Sequence, residues 1–191
     1  MSSFRLDPYW SAYKAKRLIE RGDDQHGLSL LRTLVNQFPN APAIRAQLSR
    51  TLLKRGMTNQ AMTCLMEATD DSPFELRLLR ATTHLMLEEW EKAEAMYRQL
   101  VALKPDSPSL LSEFAFCLRQ QDRPNEALLP AQQAVSLAPD QITYRIELVH
   151  ILTRLNRLQQ AHQELTIVEK LDPAEDDIPL LRQAIDDASG S

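Results

Sequence analysis

Four glycines in 191 residues are too few and too scattered to build a phosphate-cradling loop. The two cysteines, Cys64 and Cys117, lie far apart and make no close-spaced motif. Zinc and paired-thiol chemistry are therefore not expected, and two buried reduced thiols are. His26, His84, His150 and His162 show no ligand spacing and have no cysteine beside them, so no metal site is expected. No Gly-x-Ser-x-Gly elbow or supported Cys/His pairing occurs, which leaves no candidate catalytic residue. No run of about 18 apolar residues exists, so no membrane span is expected. The start, Met1 to Pro8, lacks the apolar stretch of a secretory signal. Cytoplasm is the expected location, and Met1 with the last helix reads as a complete chain. Net charge is −4, which gives no reason to expect a nucleic-acid partner.

What the chain does have is regularity. Leu, Ala, Gln and Arg dominate and favour helix. A small residue is followed twelve positions later by proline five times: Gly27/Pro39, Ala61/Pro73, Ala93/Pro105, Ala127/Pro139 and Ala161/Pro173. Successive small residues are 34, 32, 34 and 34 apart. A fixed period of this size marks a stacked helical repeat.

Each repeat reads as two antiparallel helices, A then B, with the small residue early in helix B. Four residues beyond it come Leu31, Leu65, Tyr97, Ala131 and Leu165; seven beyond come Leu34, Ala68, Leu100, Ala134 and Val168. These offsets share one helical face, so that stripe packs inward. Twelve before it lie Ala15, Ser49, Ala81, Ala115 and Val149, mostly small, as a second close helix contact requires. Five before it lie Gly22, Gly56, Glu88, Asp122 and Asn156. All but Glu88 adopt a positive φ readily enough to end helix A. The prolines end helix B.

The predicted helix pairs are 8–21/24–38, 41–55/58–70, 73–87/90–103, 107–120/123–137 and 141–154/157–171. The repeats span about 8–40, 41–72, 73–106, 107–140 and 141–173, after a flexible 1–7. A capping helix at 177–188, within 174–188, carries acids near its start, and 189–191 frays. The third repeat is two residues short, which points to a shortened linker and leaves its helix A register open. Ser72-Pro73-Phe74-Glu75 fits a capping box there. Pro130 falls inside helix B of the fourth repeat and should kink it. Met57, Met62, Met66, Met86 and Met96 read as core filler.

With Ala81, Trp90, Ala93, Tyr97 and Pro105 in one repeat, the chain resembles the tetratricopeptide repeat family. Ala115, Ala127, Ala134 and Pro139 carry the likeness in another, and Ala61/Pro73 and Ala161/Pro173 in two more. It covers about 8–173. In the first repeat Gly27 stands for the usual alanine. The usual large aromatic early in helix A is mostly missing, with Leu111 or Ile142 nearest its place. The resemblance implies an all-α, right-handed α-solenoid of about five helix-turn-helix units with a C-terminal cap. It also implies a concave groove lined by helix A.

By that implication Lys16, Arg50, Leu53, Lys54, Phe116, Arg119, His150 and Arg154 are the candidate partner-binding residues. Across the groove set as read here, which leaves out the third repeat, Lys16, Arg50, Lys54, Arg119 and Arg154 face only Glu20. The groove is therefore expected to be basic and to take an acidic or carboxylate-bearing peptide or helix. Ala12, Lys16 and Gln47 do not match the family's clamp for chaperone C-termini. The expected function is a non-enzymatic adaptor or scaffold without cofactor. Alternatives are a dedicated chaperone for a secretion or envelope-assembly subunit, and the regulatory region of a multi-part enzyme. Self-association through the exposed ends, or docking of the acidic last helix into the basic groove of a neighbour, is also open. Ala127→Leu should overpack the helix contact and cost about 1–3 kcal/mol, read as a lower urea midpoint.

Overall fold

The computed structural model describes residues 7–66 and 72–190. The described residues form eleven helices and no strand. In order they are α1 (Pro8–Glu20), α2 (Asp24–Gln37), α3 (Pro42–Lys54), α4 (Thr58–Leu65), α5 (Phe74–Met86) and α6 (Trp90–Leu103). There follow α7 (Pro108–Gln120), α8 (Pro124–Leu137), α9 (Ile142–Arg154), α10 (Leu158–Leu171) and α11 (Ile178–Ser189). The chain divides after Glu88 into two bodies. The N-terminal body holds the hairpins α1/α2 and α3/α4 followed by α5. The C-terminal body holds α6, the hairpins α7/α8 and α9/α10, and α11.

The boundaries follow from local chemistry. Proline stands at N1 of α1, α3, α7 and α8, where its missing N–H costs nothing. The Asp7 carboxylate caps α1 by accepting from the Tyr9 amide at 2.9 Å. Helix A ends at a residue of positive φ in every repeat: Gly22 (88°), Gly56 (70°), Glu88 (58°), Asp122 (56°) and Asn156 (55°). The next amide then reaches back over the last turn, as in Asp23 N–H to Leu18 O (2.9 Å) and Arg157 N–H to Leu152 O (2.9 Å). Glu88 therefore takes the turn conformation although its side chain does not favour it.

The third repeat keeps its register. In its neighbours helix A starts three residues after the proline, at Pro42, Pro108 and Ile142; α5 starts at Phe74, directly after Pro73. The two missing residues come out of this linker, and Ala81 lands fully buried like its equivalents. The N-cap of α5 is Pro73, and Glu75 pairs with Arg50 of α3. The predicted end of the second helix B, 66–70, lies mostly outside the described residues. Helix α8 runs on through a buried Pro130, whose ring nitrogen has no hydrogen to offer the Glu126 carbonyl. Two methionines depart from the core reading, since Met66 and Met86 are exposed.

Each body has its own core. In the first, Ala12, Ala15, Leu31 and Leu34 pack with Ile44, Leu48 and Leu52, and Ala46 and Leu65 pack with Leu76. In the second, Ala115, Ala127 and Ala131 pack with Leu148, Val149, Ala161 and Leu165 under Leu181 and Ile185 of α11. Helix α11 is thus a cap, apolar inward and polar outward. The first repeat shows why glycine replaces alanine. A Cβ on Gly27 would lie 2.5 Å from Ile19 Cγ1 and 2.9 Å from the Ala15 carbonyl oxygen. That clash outweighs the better helix propensity of alanine. Gly27→Ala is expected to destabilise the N-terminal body by about 1–3 kcal/mol; a melt at or above the wild-type temperature would contradict it.

Candidate functional site

The helix A residues singled out from the sequence fall into two clusters, one per body. In the N-terminal body α1 and α3 enclose a cavity of about 580 Å³. Lys16, Ile19, Gln47, Arg50, Thr51 and Lys54 line it, with Glu20 and Arg55. Lys16, Arg50 and Lys54 are brought together as expected, while half-buried Leu53 packs against the core beside them. Gln47 spans the two helices by donating from Nε2 to the Ala12 carbonyl at 3.0 Å.

The cations differ in how they are held. Lys16 lies 3.8 Å from Glu20, which Arg17 also approaches at 3.0 Å. Arg50 pairs with Glu75, and Arg55 with Asp24 at 2.6 Å. Lys54 is exposed and has no ion pair among the described residues. The third repeat continues this register with Thr82, Leu85 and Met86, none of them charged.

The second cluster is built on α7 and α9. Phe116, Arg119, His150 and Arg154 gather there, but the arginine is already engaged. Arg119 donates from Nε and Nη2 to both carboxylate oxygens of Glu147, at 2.7 and 2.8 Å, and both residues are buried. Its guanidinium carbon lies 5.0 Å from the Phe116 ring centroid, and Trp90 meets the same ring edge-on at 5.9 Å. Arg154 donates to the Arg119 carbonyl at 3.3 Å and reaches Asp122 at 3.4 Å. The helix A surface is consequently not a plain row of cations. Glu75, Asp122 and Glu147 answer Arg50, Arg154 and Arg119, each from an adjoining repeat. Sequence reasoning missed them because each partner lies about one repeat away, where no local spacing flags it.

Burial governs the titrating groups here. It pushes the Glu147 carboxyl up, against the pull of the Arg119 guanidinium. It also pushes the His150 imidazole down, helped by the charges of Arg119 and Arg154 and opposed by Asp177. His150 therefore offers a neutral ring at neutral pH. The Cys117 thiol is raised to about 12 by burial and then by Glu113, so it stays protonated. Behind α7, Glu94 is buried, which disfavours its charge. Donors from Arg98, Gln121 and Arg123 outweigh that and hold its carboxyl below the usual range.

Known proteins place this architecture. The family model of the ChAPs, Chs5p-Arf1p-binding proteins, matches residues 36–178. No curated protein sequence matches the chain. Among solved structures, MamA from Desulfovibrio magneticus RS-1 superposes with a TM-score of 0.81 at 18% identity, over 91% of this chain and 99% of that one. TTC0263, a thermophilic TPR protein of Thermus thermophilus, gives 0.66 at 17%, over 96% and 100%. YrrB, described as a TPR protein with an unusual peptide-binding site, gives 0.74 at 14%, over 88% of each chain. The fold is thus an all-α, tetratricopeptide-type solenoid.

Removing Arg119 leaves Glu147 buried without its cation. Arg119→Ala should cost about 3–5 kcal/mol in urea unfolding. Arg119→Met/Glu147→Leu should recover most of that loss, and equal destabilisation by both variants would count against the pair as described.

Proposed function

The chain belongs to the ChAPs family, the Chs5p-Arf1p-binding proteins, and from that membership we propose a non-enzymatic adaptor whose helix A surface holds a partner protein. Two things support a protein partner: the family is named for proteins that bind other proteins, and the repeat fold leaves rows of side chains on its helix surfaces. The observation that carries the choice of surface is the cavity between α1 and α3. It places Lys16, Arg50 and Lys54 around one space of about 580 Å³, with Ile19 giving an apolar wall.

The occupant that suits this cavity is an acidic segment of a partner, either an extended peptide or a helix. Lys54 supplies a charge that no carboxylate among the described residues pairs with, and Lys16 a weakly held one. In the C-terminal body, Phe116, His150 and Arg154 make a separate set of contacts of apolar and mixed character. Arg119 supports the Phe116 ring there rather than offering a free charge.

A defined peptide pair tests this directly. A short acidic helical peptide and its Asp/Glu-to-Asn/Gln counterpart are titrated by fluorescence anisotropy against wild type and Lys16→Glu/Lys54→Glu. Wild type should prefer the acidic peptide and lose affinity with salt. The double variant should bind it roughly tenfold more weakly or worse. Equal binding of both peptides, or no effect of the double variant, would overturn the assignment of this surface.

A further inference from the structure

In an array of repeats, helix A buries one face against the hairpin before it, and the register identifies that face. Seventeen residues before the reference come Ile44, Leu76 and Leu110, at 1%, 4% and 3% exposure, and Tyr144, which is half-buried. Ile44 packs with Ala12, Leu31 and Leu34 of the preceding hairpin, and Leu76 packs with Ala46 and Leu65. In the first repeat the same position is Trp10, which is 54% exposed. Tyr9 and Tyr13 beside it are exposed as well. Trp10 stacks on Tyr13 with ring centroids 5.4 Å apart, and Lys14 Nζ sits 5.8 Å from the Trp10 ring. Lys14 and Arg17 take the positions that Leu148 and Ile151 fill in the fifth repeat. Among the described residues no hairpin covers this face of α1, which is aromatic at its centre and cationic around it.

The far end of the repeats differs. Leu181 and Ile185 of α11 turn inward, and the outer side carries Leu180, 66% exposed, with Asp186 and Asp187. Asp176 and Asp177 precede the helix and are exposed. The outer side has a shallow depression of about 560 Å³ edged by Pro179, Gln183 and Asp186, and by Arg182, whose charge is taken up by Glu169 at 2.5 Å.

We propose that the exposed face of α1 docks on the outer face of α11 in a second copy of this chain, head to tail. Charge complementarity selects this occupant. Two α1 faces brought together would set Lys14 and Arg21 against themselves, with Arg17 already held by Glu20. The α11 face offers carboxylates to those cations and Leu180 to the Trp10 ring, the kind of desolvated aromatic anchor that carries binding. The contact joins two different surfaces, so a copy joined through one still carries the other.

Sedimentation velocity across a concentration series, at low and high salt, tests the proposal. Wild type should pass from monomer to a ladder of larger species, and salt should weaken it. Trp10→Ser/Lys14→Ser removes one face and Leu180→Ser/Asp186→Asn the other. All four side chains are exposed, and matched circular dichroism melts check the fold. Each variant alone should lose association roughly tenfold or more, while an equimolar mixture should form a dimer and nothing larger. A wild type that stays monomeric throughout, an α11 variant that still dimerises, or a mixture that stays monomeric would each overturn it.

Discussion

The close approach of helices within the hairpins α1/α2, α3/α4, α7/α8 and α9/α10 is the constraint on which the rest depends. At the reference position of helix B, Ala61, Ala127 and Ala161 have no exposed surface, and twelve residues earlier Ala15, Ser49, Ala115 and Val149 have none either. Small side chains at these points let the backbones come together, and larger ones at neighbouring offsets fill the remaining space. The first hairpin carries glycine at this point. There even the alanine methyl is too large, because the Ala15 carbonyl and Ile19 occupy its place.

Fixing the hairpin in this way fixes where helix A side chains project. Offsets of −11, −8 and −7 from the reference fall on one side of helix A, and that side carries Lys16, Arg50, Lys54, Phe116, Arg119, His150 and Arg154. The same geometry brings side chains one repeat apart within reach of each other. Arg55 meets Asp24, Arg32 meets Gln60, Arg123 meets Glu94 and Arg119 meets Glu147. The polar surface is therefore sewn between successive repeats. A basic count taken along the chain overstates how much positive charge is free to meet a partner.

The termini of the array show the same physics with the opposite sign. Where a neighbouring repeat is present, the −17 position is Ile44, Leu76 or Leu110, all buried, or the half-buried Tyr144; in the first repeat it is Trp10 in contact with water. At the other end α11 supplies the missing neighbour for Leu148 and Leu165 and turns acids outward. An exposed tryptophan and an acidic cap are the two surfaces the repeat pattern itself does not account for.

Much of the fold was legible in the residue pattern. The period, the small residues and the prolines placed ten helices and a cap, because backbone sterics and the 3.6-residue turn act locally. Gly22, Gly56, Asp122 and Asn156 announced four turns by their ease at positive φ. Glu88 did not; its turn conformation follows from its place in the register and not from its side chain. Of the candidate site, residue choice by offset brought Lys16, Arg50 and Lys54 to one cavity. Which of these charges remains free was decided only by tertiary structure. Burial and ion pairing are set by groups about one repeat away in sequence, such as Glu75 beside Arg50 and Glu147 beside Arg119, and no local spacing encodes them.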